Sequence, residues 1–173
     1  MSYERRPGVM HADLANAREF EAQVKAVLPS WHIDETASTS RLDWWVPGWF
    51  LDAKEKRQAL NKRWHLLDGV DEVDLVVLDE LGIRKALEHG PSAYFIIRDV
   101  PGGNRLFLVG AWELACLRRA RVDRVGKGKA IFDLRDMRQL RSLDEIVPTI
   151  MADLASTAWR QSNCVSQQQV GQV

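Results

Sequence analysis

The chain lacks any excess of charge: 24 basic and 24 acidic residues cancel within its 173 positions. A uniformly basic surface for nucleic acid is therefore excluded, and such a surface could come only from local clustering. Cysteine is scarce. Cys116 and Cys164 form neither a metal-ligand spacing nor a disulfide framework, and Cys116, set in an apolar helical stretch, is expected in the core. No apolar run approaches the ~20 residues that cross a bilayer. The polar start, Met1 to Pro7, has no apolar segment behind it, so no signal peptide is expected. The chain reads as cytoplasmic, with no membrane partner.

What is present is ordinary for a globular domain, with 46% apolar and 28% charged residues in a length suited to one core. Two features stand out. Seven tryptophans are many; core filling explains them most simply, and base stacking is the alternative. Between Arg118 and Lys129, six basic residues (Arg118, Arg119, Arg121, Arg124, Lys127, Lys129) accompany a single acid, Asp123, a candidate nucleic-acid contact. Gly126-Lys127-Gly128-Lys129 lacks the spacing and Ser/Thr of a phosphate-binding loop and is read as a flexible basic loop.

Residues 1–10 are expected as a flexible arm, 11–160 as a single domain and 161–173 as a disordered tail. Leu14, Ala17, Glu21, Val24 and Leu28 recur at helical steps, and Pro29 ends that helix. Residues 31–36 predict a strand. Leu42–Val46 and Trp49–Lys54 flank the turn dipeptide Pro47-Gly48 and predict a hairpin. A helix over 58–67, a strand over 73–78, a helix over 80–89, strands over 93–98 and 105–109, and helices over 112–120 and 143–159 follow. The fold class is α/β, a mixed central β-sheet flanked by helices in the order α-β-β-β-α-β.

If Pro47 and Gly48 occupy the turn, Val46 faces Trp49, Leu42 faces Ala53 and Asp43 faces Asp52. Alternation puts Asp52 and Lys54 on one face of the second strand. Two opposed carboxylates repel, and Asp52 lies within the apolar run Trp-Phe-Leu-Asp-Ala, where an unpaired charge is costly. A hard divalent cation would resolve both, since Mg²⁺ takes one or two carboxylates with phosphate and water, and a nearby lysine could orient or deprotonate a water. An exposed edge, with the aspartates solvated or paired to Arg41 and Lys54, is the other explanation. Glu21 falls within the first helix's apolar stripe, where a carboxylate needs a partner; water at the stripe's edge would also serve.

Glu21, Asp43 and Asp52-Ala53-Lys54, in that element order over about residues 11–80, resemble the core of the PD-(D/E)XK nucleases. Phe20-Glu21-Ala22-Gln23-Val24 and Leu51-Asp52-Ala53-Lys54-Glu55-Lys56-Arg57 are similar to strings in phage and bacterial members, among them Holliday-junction resolvases and recombination exonucleases. Leu42 stands where the motif's name has proline. The resemblance implies a restriction-endonuclease-like core in which Glu21, Asp43 and Asp52 hold Mg²⁺ or Mn²⁺, Lys54 assists the water, and Gln58 on the following helix approaches the phosphate. It implies an endonuclease on double-stranded or structured DNA, serving recombination or repair. A non-catalytic DNA-binding or assembly protein of the same fold is the alternative. DNA is the expected partner, and a homodimer is compatible with the chain. The four histidines show no metal spacing.

Overall fold

The computed structural model describes residues 7–29, 34–35, 42–58, 67–124 and 127–156. In chain order they form α1 (Pro7–Val27), β1 (Asp34–Glu35), β2 (Trp44–Val46), β3 (Trp49–Lys56), β4 (Leu75–Asp79), α2 (Glu80–Leu87), β5 (Ala93–Asp99), β6 (Arg105–Gly110), α3 (Ala111–Cys116), β7 (Arg119–Arg124), β8 (Lys127–Asp133), β9 (Arg138–Leu140) and α4 (146–156). No helix among the described residues is long and apolar enough to cross a membrane.

Helix α1 begins on Pro7, whose fixed φ and missing N–H suit a first helical turn, so residues 7–10 are helical rather than part of an arm. Its buried stripe is Phe20, Val24 and Leu28, at steps of four. The apolar face is therefore centred on Val24, and Glu21, about 60° round from it, is half-buried on its flank.

Six strands form the main sheet in the order β1-β2-β3-β5-β6-β9; β4, β8 and β7 form a second, smaller sheet. The pair β3–β5 is parallel and every other pairing is antiparallel. The sheet is thus mixed and flanked by helices, as expected; in chain order β3 is followed among the described residues by β4, α2 and β5, and it is β5 that lies beside β3. The run at 75–78 does not supply the last strand of the expected core. Its apolar residues serve both faces: Val76 and Leu78 join the core between the sheets, while Leu75 and Val77 join Ile131, Leu67 and Val70 on the outer side. A strand apolar on both faces suits a middle layer, and it pairs with β8 instead.

One face of the main sheet packs on helices: Phe20, Val24, Leu28, Ile146 and Ile150 cluster with Trp44, Trp49, Leu51 and Ala53. The other face, with Phe95, Ile97 and Phe107, meets Val76, Phe132, Ile83 of α2 and Leu114 of α3. At the far end of β3 this second interface carries charge. Buried Lys56 lies 2.9 Å from Asp99, Arg105 Nε donates to Asp99 at 3.0 Å, and Arg105 Nη1 reaches Asp74 at 2.9 Å. These bonds tie the main sheet to the segment that leads into β4.

Three further expectations are corrected. The basic stretch is a hairpin, because Ala120 and Val122 alternate with Arg119 and Arg121 and pack against the outer cluster; Arg119 and Ala120 are strand rather than helix, and Lys127–Lys129 is strand rather than loop. Cys116, at the end of α3, is exposed. Trp44 and Trp49 fill the core, but Trp45 and Trp112 are exposed. The expected helix at 58–67, apart from its end residues, and the tail from 161 lie outside the described residues, as do Lys62, His65, Trp31, Trp64 and Trp159.

Candidate active site

The hairpin has the register its turn requires: Val46 pairs with Trp49, Trp45 with Phe50 and Trp44 with Leu51. Gly48 has a φ of 97°, which with proline before it matches a type II turn, where the third residue must take positive φ. The backbone ladder stops at Trp44. Leu42 does not face Ala53, because the chain bends at 42–43 and carries Leu42 into the core between the sheets. Asp43 takes over where the ladder ends, its Oδ2 accepting the Ala53 N–H at 2.7 Å. This bond satisfies a strand donor that would otherwise have no partner and holds the Asp43 carboxylate beside Asp52.

Asp52 is 3% exposed. Its side chain meets that of Asp43 and accepts a hydrogen bond from Lys54 Nζ. Burial pushes its pKa up to about 7, the Lys54 ammonium opposes that rise, and Asp43 adds to it. A buried carboxylic acid is cheaper than a buried anion, so burial favours the protonated form of Asp52. Lys54 keeps 38% of its side chain in solvent. Partial burial alone would lower its pKa, but Asp52 and Asp43 outweigh burial and hold it above the usual lysine value, with Asp79 adding a smaller contribution. Lys54 is therefore an ammonium, a donor rather than a base.

Asp79 closes β4 in the second sheet and is ion-paired with Lys129. Its influence on Lys54 was not legible in the sequence, where Asp79 only bounds a strand, because it depends on the packing of one sheet over another. Lys56 shares the face of Asp52 and Lys54 but is spent on Asp99 and on the Val73 carbonyl.

Glu21 and Gln58 are placed differently. Helix α1 packs on Leu51 and Ala53, and by alternation Asp52 and Lys54 point away from it. Among the described residues no three His, Cys, Asp or Glu side chains form a group that could hold a metal. The structure thus brings together two carboxylates and a lysine, without Glu21. Gln58 is exposed, just beyond the end of β3.

In the basic hairpin, Arg118 Nη2 donates to the Asp68 carbonyl at 2.8 Å and Arg119 Nη1 to that of Ala115 at 3.0 Å. Arg121 and Lys129 are ion-paired with Glu80 and Asp79. Any Cβ at Gly128 would collide with the Glu80 carboxylate, so this glycine makes room for an acid. Arg124 and Lys127 pair at the closed end.

No family model matches the sequence, and no curated protein matches it. Among solved structures the chain is similar to a nuclease from a fusselovirus, with a TM-score of 0.47 and 10% identity, over 91% of this chain and 99% of that one.

Proposed function

We propose that the chain is a metal-dependent nuclease that hydrolyses DNA phosphodiesters at the face bearing Asp43, Asp52 and Lys54. The observation that carries this reading is a buried carboxyl, Asp52, meeting a half-buried one, Asp43, with the Lys54 ammonium beside them where the β2–β3 ladder ends. Such a pair is costly to keep unless something binds it. Its donors are hard oxygens, which suit Mg²⁺ or Mn²⁺ with phosphate and water completing the shell. Bound there, the ion would polarise the phosphate and acidify a water. Asp43 and Asp52 would hold it; Glu21 joins them only on the family resemblance.

The chain's own residues do the rest. The Ala53 N–H fixes the Asp43 carboxylate so that it need not reorganise. Lys54, held as an ammonium, orients the attacking water and donates to the oxygen on which charge develops. Burial of Asp52 keeps bulk water from screening these charges. Arg118 and Arg119 donate to main-chain carbonyls and would turn their charge to DNA phosphates, with Arg118 partly offset by the Asp133 carboxylate.

A second reading has one observation in its favour: Lys54 already sits on Asp52, and only two carboxylates meet. On that reading the cluster is a structural ion pair in a non-catalytic DNA-binding or assembly protein. One experiment decides. Purified protein is incubated with linear, circular and branched DNA, in Mg²⁺ and in EDTA, beside Lys54→Ala. The nuclease reading expects metal-dependent strand cutting that falls by about 10²–10³-fold in the variant with the fold retained. DNA binding without cutting in either Mg²⁺ or Mn²⁺ would establish the second reading.

A further inference from the structure

We propose that the same face carries a stacking track for unpaired DNA bases, built from Trp45, Phe50, His89 and Trp112, so that the substrate is a single-stranded or branched segment rather than a continuous duplex. This deepens the nuclease reading and rests on it for its biological meaning.

Trp45 stands in β2, two residues beyond Asp43 in the chain. It pairs across the hairpin with Phe50, so both share the face of Asp52. Trp45 is 38% exposed, whereas its neighbours Trp44 and Val46 are 4% and 5% exposed. Phe50 stacks on His89, with ring centroids 3.9 Å apart and planes at 27°. His89 Nε2 is buried without a hydrogen-bond partner, so that nitrogen does not anchor the ring and the Phe50 stack does. The next residue, Gly90, lies under the Trp112 indole, where a Cβ would come within 3.8 Å of the ring, and Trp112 is 54% exposed. Two exposed indoles are thus linked, one by strand pairing and one through Gly90, to a stacked pair that neighbours Asp52.

Single exposed apolar side chains need no explanation. Two exposed tryptophans beside the Phe50–His89 stack, in a chain that buries Trp44 and Trp49, call for a planar occupant. A polynucleotide cut beside Asp52 places bases next to its scissile phosphate. In a duplex those bases stack on each other and offer no free π-face; unpaired bases do, and aromatic side chains take them with little regard to sequence.

The test is binding in EDTA, where no cutting occurs, read by anisotropy of a fluorescein-labelled oligothymidylate and of a blunt duplex. Trp45→Ala, Trp112→Ala and the double variant are compared with the parent, and melting curves confirm folding. Each single change should weaken oligothymidylate binding about 5- to 150-fold, following the ~1–3 kcal/mol typical of one base stack. Duplex affinity should change less than twofold, and Trp45→Phe should restore most of the loss. If Trp45→Ala failed to fold, Trp112→Ala, at a surface position on α3, would carry the test. Parent protein that ignores oligothymidylate, variants that bind it unchanged, or equal losses on both probes would overturn the track. Because no metal is present, these outcomes leave the nuclease reading untouched, and a protein that never cuts could still show the track.

Discussion

Replacing Asp52 by asparagine should stabilise the metal-free protein above neutral pH and abolish its response to metal. The folded protein keeps the Asp52 proton up to about pH 7, against the ordinary aspartate value of 3.8. Between those two values the folded state binds more protons than the unfolded one, so wild-type stability must fall as pH rises and level off above about pH 7. The direction is opposite to that of a salt-bridged aspartate. If the whole difference acts on folding, ionised Asp52 costs about 4 kcal/mol at pH 8. Asp52→Asn removes that cost and introduces an amide that can donate to Asp43. The Lys54 contribution is already contained in that difference. The gain is therefore at most about 4 kcal/mol, a melting temperature raised by no more than about 8–16 °C for a chain of this length. At pH 5, about two pH units below the folded-state value, the variant's advantage should be about 2.7 kcal/mol smaller than at pH 8. Excess Mg²⁺ at about 100 times its dissociation constant should stabilise the wild type by about 2.7 kcal/mol and the variant little. Thermal melts at pH 5, 6, 7 and 8, in EDTA and in Mg²⁺, measure all of this. Wild-type stability that rises from pH 5 to 7 would refute the buried-acid argument, and equal metal responses would show that the aspartates do not form the site.

Lys56→Ala should separate the two lysines of the strand: it leaves Asp99 buried beside Arg105 alone and should cost about 3–5 kcal/mol, read in urea unfolding, whereas Lys54→Ala should unfold near the wild-type midpoint. Replacing Arg118 and Arg119 together should lower DNA affinity for every sequence alike and flatten the plot of log affinity against log salt by about two. Replacing Arg121 and Lys129, already neutralised by Glu80 and Asp79, should move that slope less; the reverse order would show the ion pairs give way to phosphate.

The hairpin was legible because Pro47-Gly48 admits few turns and a two-residue loop leaves one register. That register also separates Trp44 from Trp45 by face, although only the packed structure shows which one the solvent reaches. The helix stripe was drawn through Leu14, which puts Glu21 about 20° from its reference. The buried Phe20, Val24 and Leu28 centre the face about 60° from Glu21 and leave it on the flank. The alternation Arg-Ala-Arg-Val across 119–122 was a strand signal hidden by charge, since an edge strand exposes its arginines and buries only small residues. Which strand lies beside β3 could not be read locally: 75–79 and 93–99 are similarly apolar, and β5 is chosen because 75–79 is needed between two layers. Asp79 beside Lys54 follows from that same long-range choice.

Asp43, the turn, Asp52 and Lys54 all lie within one short stretch of chain, positioned by a single hairpin and one side-chain bond to Ala53. Their mutual geometry is therefore a local property that would travel with the hairpin into another scaffold. Their acidity would not. A hairpin on its own is marginally stable in water and would leave both carboxyls hydrated, with ordinary proton affinities and no reason to capture an ion. What the second sheet and its two helices contribute is dryness, and that part cannot be transplanted without them.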